Sequence, residues 1–289
     1  MTEALQDLKR LPTWAATVIN DVVPRLSKVA GVEAVVLGGS WARDAGTTNS
    51  DLDLGLLYSD AAPLDVGEIQ AVIEAVNDHL TTVATPLGGW GPWVNGGAWL
   101  HIEGHPVDFI YRSIDRYRAT VENASNGFAE HDYLQQPPYG FQSTIYLGEI
   151  DAMIPLSDPS EVVRELKNLV RPYPPKLKTA LATGYQWGAD FSVQNAAKPA
   201  ARGDLYSVSG CLSRAVAFLA QSLYATNEIY FISDKGAIDA IETMPVHPDS
   251  FASRVNELLT LTPDPATLQH AVSLATSLVA DARALTNQG

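Results

Sequence analysis

The stretch VVLGGSWARDAGTTNSDLDLGLLY, residues 35–58, decides how this chain is read. It opens as an apolar run, turns through Gly38, Gly39 and Ser40, and closes on a second apolar run that holds Asp51 and Asp53. VEAVVLG (32–38) and DLDLGLLY (51–58) both have the composition of strands. Side chains alternate faces along a strand, so Asp51 and Asp53 point the same way as neighbours. Two carboxylates held that close repel, and a cation between them relieves the repulsion. The plainer alternative has Asp51 capping a turn and Asp53 meeting a distant arginine. Gly38-Gly39-Ser40 ends the first strand and opens a short helix. Glycines there let backbone approach a phosphate, while Ser40 and the helix N–H groups donate to it.

Outward from this segment, residues 14–29 have helical spacing, with Pro24 expected to bend or break the helix and Gly31 to close it. In 65–80 the apolar residues Val66, Ile69, Val72, Ile73, Val76 and Leu80 form one helical face. GGWGPWVNGG (88–97) reads as a loop. AWLHIEG and PVDFIYR then read as two short strands joined by a turn at Gly104-His105-Pro106, and the second strand carries Asp108. Beyond about residue 114 long helical patterns dominate, over 159–170, 175–188, 203–226, 249–260 and 264–286, punctuated by Pro137-Pro138, Pro172 and Pro174-Pro175. The expected class is α+β. An N-terminal α/β domain with a small mixed sheet spans 1–125, and a mainly helical domain spans 126–289.

Composition narrows the function. The net charge is −14, from 33 acidic and 19 basic residues, and no lysine or arginine cluster stands out. Gripping a nucleic-acid backbone requires a basic surface, so a cationic or neutral small substrate fits this field better. There is no apolar run long enough for a membrane span and no secretion signal, which points to the cytoplasm. A single cysteine, Cys211, suits a reducing compartment and reads as a buried, inert thiol. The six histidines lack zinc-site spacing, and His105 in the turn before Asp108 is a candidate substrate contact. Together the glycine-serine turn, the paired carboxylates and Asp108 form a workable site for magnesium-assisted nucleotidyl transfer, since hard oxygen ligands suit Mg²⁺.

The pattern Gly39-Ser40, ten intervening residues, Asp51-Leu52-Asp53 resembles the nucleotidyltransferase superfamily that includes DNA polymerase β. GGSWARDAGTTNSDLDL is similar in style to the small-molecule branch, which holds the kanamycin, streptomycin and lincosamide nucleotidyltransferases. The likeness covers roughly residues 30–112. It implies that Asp51 and Asp53 hold the metal on the triphosphate, and that Asp53 with Asp108 holds a second Mg²⁺ near the acceptor. It also implies an NTP co-substrate, ATP favoured, and transfer of AMP to a small-molecule hydroxyl with release of pyrophosphate. Asp108 is the expected base, with Glu149 as the second candidate or an ordinary surface acid. Gly38, Gly39 and Ser40 are the expected nucleotide-binding turn. Arg43 either reaches the triphosphate or pairs with Asp44, and Lys235 either meets the β/γ-phosphates or is a solvated surface lysine. Asp204, Tyr206 and Ser209 are candidate cleft residues, and Trp90, Trp93 and Trp99 either stack on substrate or pack. The rival readings are a toxin-like or regulatory nucleotidyltransferase acting on protein or tRNA, and an inactive nucleotide-binding module. The oligomeric state is left open.

Overall fold

The computed structural model describes residues 10–79, 81–136 and 138–286. The N-terminal nonapeptide, Leu80 and Pro137, all used in the sequence reading, lie outside the described residues. The chain divides into two compact units. The first is Met1–Glu122 with Tyr146–Pro172, and the second is Asn123–Ile145 with Tyr173–Gly289. The division is discontinuous, where the sequence suggested one boundary at 125/126. The segment 146–172 returns to the first unit because it supplies a strand to that unit's sheet.

The first unit is a five-stranded mixed sheet with helices. Its elements are α1 (Thr13–Leu26), β1 (Ala34–Leu37), α2 (Gly39–Ala42), β2 (Leu52–Tyr58), α3 (Val66–Val76), α4 (Gly91–Val94), β3 (Gly97–Ile102) and β4 (His105–Ser113). After these come α5 (Ile114–Ser125), then β5 (His131–Asp132) and β6 (Phe141–Gln142), a two-stranded pair that belongs to the second unit, and then α6 (Ile145–Ala152), β7 (Ile154–Ser157) and α7 (Val162–Val170). The sheet order is β3-β4-β2-β1-β7; β2 and β4 run parallel and every other pair is antiparallel. Pro155 is tolerated in β7 because that strand lies at the edge.

Strand alternation sorts the two faces. Leu52, Leu54 and Leu56 of β2, Val107, Phe109 and Tyr111 of β4, and Ala98, Leu100 and Ile102 of β3 share one buried cluster. Val18, Val22 and Leu26 of α1 and Ile69 and Ile73 of α3 complete it. Asp53, Asp108 and Trp99 occupy the intervening positions and face the other way. Pro24 lies in the last turn of α1, which ends two residues later with Leu26 still fully buried, so the proline terminates the helix without interrupting its core face. Asp65 caps α3 by accepting from the Glu68 N–H, and the Glu68 carboxylate in turn accepts from the Ala30 N–H. The β3–β4 turn falls on Glu103-Gly104, one residue earlier than expected. Both residues have positive φ (52° and 78°), as a two-residue turn matching the strand twist requires.

The second unit is helical, built on α8 (Pro175–Ala201), α9 (Leu205–Thr226), α10 (Ala237–Ile241), α11 (Phe251–Leu258) and α12 (Pro265–Thr286). Its core includes Val193, Leu212, Leu219, Val255, Leu268 and Leu278. Asp204, read as a cleft candidate, caps α9 through the Ser207 N–H and Oγ–H at 3.1 and 2.7 Å. Cys211 is half-buried and burial pushes its thiol pKa up, which suits an unreactive role. No described helix is long and apolar enough to cross a membrane.

Leu54 is fully buried at the centre of the sheet's core face. Leu54→Ala is expected to cost about 2–5 kcal/mol of stability, measured by urea denaturation of the full chain.

Candidate active site

The site is assembled by strand register. In the parallel pair, Asp53 of β2 stands directly opposite Asp108 of β4. Neighbouring strands lie about 5 Å apart, so the two carboxylates leave the same face as close neighbours. Asp51 is the residue before β2 and is exposed. The loop that presents it is tied by reciprocal bonds, Thr47 N–H to Ser50 Oγ and Ser50 N–H to Thr47 O, each 2.9 Å.

The glycine-serine turn folds against this row. The Gly38 N–H donates to the Asp53 carbonyl at 2.9 Å, which fastens the turn to the strand. That bond uses the Gly38 amide, so Gly38 anchors the turn to the strand and leaves donation to the residues that follow it. Gly39 sits at φ +60°, and a β-carbon built there would overlap Asp53 Oδ2. The carboxylate therefore lies against the bare backbone of Gly39, and a side chain is excluded by sterics as well as by conformation. Ser40 follows in the first turn of α2, where N–H groups have no acceptor within the helix.

Three candidates behave differently from expectation. Glu149 accepts from Arg112 Nε and Nη2, both at 2.7 Å, and from the Tyr117 hydroxyl at 2.8 Å. Arg112 lies four residues along β4 from Asp108, roughly 13 Å at strand spacing. A carboxylate clamped there by a buried guanidinium and a tyrosine hydroxyl is placed to hold α6 to the sheet, so Glu149, the second candidate for the base, is neither a free surface acid nor a neighbour of Asp108. Burial disfavours the Arg112 charge, but the Glu149 carboxylate more than compensates, and the Arg112 pKa is raised. His105 stacks on Trp14 of α1, rings 4.1 Å apart and 7° from parallel, so it belongs to the core face opposite Asp108. Asp44 pairs with Arg10 and not with Arg43, whose Nε donates to Gly39 O at 3.1 Å. Lys235 is exposed in the second unit, with its N–H on Ser233 Oγ.

The tryptophans, read together in the sequence, separate. Trp93 is 8% exposed and packs with Tyr146 beneath the Arg116 guanidinium. Trp99 is 66% exposed and stands opposite Asp108 in the β3–β4 register. Trp90 stacks on Trp99 at 4.6 Å and 18°. The row Asp53–Asp108–Trp99 requires knowledge of strand pairing, which the linear pattern does not contain.

The donor set is made of carboxylates alone. Among the described residues no group of three or more His, Cys, Asp and Glu side chains converges closely enough to hold an ion unaided.

Gly39→Ala is expected to reduce any activity of this site to background while the far-UV circular dichroism is kept, because the methyl group displaces Asp53. Glu149→Gln breaks a buried charge pair and is expected to cost about 3 kcal/mol in denaturant unfolding. Activity per folded molecule should stay within a few-fold; a loss as large as that of Gly39→Ala would return Glu149 to the chemistry.

No protein-family model matches the chain, and no curated protein matches it. Among solved structures it is similar to a nucleotidyltransferase-like protein from Exiguobacterium sibiricum 255-15, at 11% identity and a TM-score of 0.43, over 95% of this chain and 75% of that one.

Proposed function

We propose that this chain is a magnesium-dependent nucleotidyltransferase that moves AMP from ATP to a hydroxyl of a small molecule and releases pyrophosphate. The observation that carries the proposal is the register pair Asp53–Asp108, with the Gly39-Ser40 turn folded against Asp53. Two adjacent carboxylates with a glycine-serine turn beside them suit a triphosphate brought in with its cation better than they suit either charge alone.

Bound Mg²⁺ would neutralise charge on the phosphates and on the attacking and leaving oxygens. Asp51 and Asp53 would hold the ion carried by the triphosphate, and Asp53 with Asp108 a second one. Ser40 and the turn N–H groups would receive phosphate oxygens. Asp108 would take the acceptor's hydroxyl proton as its oxygen bonds to the α-phosphorus. The bond from that phosphorus to the bridging oxygen breaks, and its electron pair leaves with pyrophosphate. The acidic balance of the chain, 33 acidic against 19 basic residues, supports a cationic small acceptor such as an aminoglycoside or lincosamide over a nucleic acid.

The test is pyrophosphate release in the presence of each NTP, Mg²⁺ and a panel of aminoglycosides and lincosamides. Release is expected with ATP and at least one cationic acceptor. Asp53→Asn and Asp108→Asn should each lower it by on the order of 10³-fold. Label appearing on protein or RNA would favour the regulatory reading, and tight ATP binding without release would favour an inactive module.

A further inference from the structure

Resting on the nucleotidyl-transfer reading above, we infer that Trp99, backed by Trp90, is the platform on which the acceptor lies, and that the acceptor is a positively charged, ring-shaped hydroxyl compound. Register carries the placement. Asp53 is opposite Asp108, and Asp108 is opposite Trp99, so the three side chains leave one sheet face in a single row across β2, β4 and β3. Directly opposed residues in antiparallel strands have β-carbons roughly 5 Å apart. A ring lying on Trp99 therefore brings its substituents to the Asp108 carboxylate.

The exposure of Trp99 is built into the strand. β3 alternates strictly from Ala98 onward. Ala98, Leu100 and Ile102 are buried, while Trp99 and His101 are exposed. The indole thus has no place in the core and is held out on the site face. It also has a partner to lean on. Gly97, two residues before Trp99, is kept bare first by the Phe109 carbonyl against it, and the same bareness leaves room for the Trp90 ring of the preceding loop. A β-carbon there would stand 2.9 Å from the Trp90 ring. The two indoles then stack, and the pair remains open, with Trp99 at 66% exposure. Trp93, in the adjoining α4, is consumed by packing, so the pair is not a by-product of a generally aromatic segment.

The occupant follows from the surroundings. An indole face attracts a cation through its quadrupole and covers the apolar face of a ring. The adjacent row member is a carboxylate, and the chain's net charge is −14. A ring with C–H faces, a protonated amine and a free hydroxyl satisfies all three, whereas an anionic or ringless acceptor satisfies at most two.

The experiment separates this inference from the reaction itself. Binding of kanamycin, streptomycin and lincomycin to the Asp53→Asn protein, without nucleotide, is followed by calorimetry and by quenching of tryptophan fluorescence. Choline serves as a ringless cation and methyl glucoside as an uncharged ring. At least one of the three compounds is expected to bind and quench, and neither control compound should match it. Trp99→Ala should weaken that binding roughly tenfold and Trp99→Phe only two- to three-fold, with Trp187→Phe neutral. In the otherwise wild-type enzyme, Trp99→Ala should raise the acceptor KM by a similar factor and leave kcat and the ATP KM nearly unchanged. Unaltered binding and KM in Trp99→Ala, with turnover intact, would overturn the platform and leave the reaction standing. Failure of all three compounds to bind would also overturn it. Trp99-dependent binding without pyrophosphate release from the wild type would uphold the platform and refute the reaction.

Discussion

The parallel pairing of β2 with β4 is the constraint on which the rest depends. It sets Asp53 beside Asp108, and a shift of one residue would turn one carboxylate into the core and bring a leucine or valine out. Register is fixed by the buried side of the same strands, where Leu52, Leu54, Val107 and Phe109 interlock. The hydrophobic face thus determines the polar face, and the carboxylates are held adjacent by packing energy that they do not contribute. The Gly38 N–H to Asp53 carbonyl bond extends this control to the loop before α2. One strand position therefore anchors both the acidic row and the glycine turn.

Acidic residues in this unit fall into two kinds. Glu149 is satisfied internally by a buried guanidinium and a tyrosine hydroxyl, and its business is joining α6 to the sheet. Asp51 is exposed at the mouth of β2, at the end of a tied turn. The same side-chain chemistry gives a structural strut in one place and an exposed carboxylate in the other. Burial and partners make that difference.

Local features of the sequence were legible. The strands at 32–38 and 51–58 and the long helices of the second unit all announce themselves through periodicity, and so does the alternation that puts Asp53 and Asp108 out of the core. What escaped depends on residues distant in the chain. Glu149 looked like a free acid because Arg112 is 37 positions away. His105 looked like a site residue because the turn was read one residue late, which hid that its face is the one carrying Val107 and Phe109. β7, a four-residue strand with a proline in it, has no signal of its own and forms only because β1 offers an open edge. The tryptophans needed the β3–β4 register before they could be told apart.

Asp53 is proposed to be shared by the cation carried on a nucleoside triphosphate, held with Asp51, and by a second cation, held with Asp108. Electron paramagnetic resonance of Mn²⁺ as a magnesium substitute tests this without reference to any acceptor. Titrating Mn²⁺ with a non-hydrolysable ATP analogue into the wild-type protein should immobilise the ion only when nucleotide is present. Asp53→Asn and Asp108→Asn should each weaken that immobilisation by tenfold or more. Equal immobilisation in the wild type and both variants would place the cation elsewhere and contradict the account.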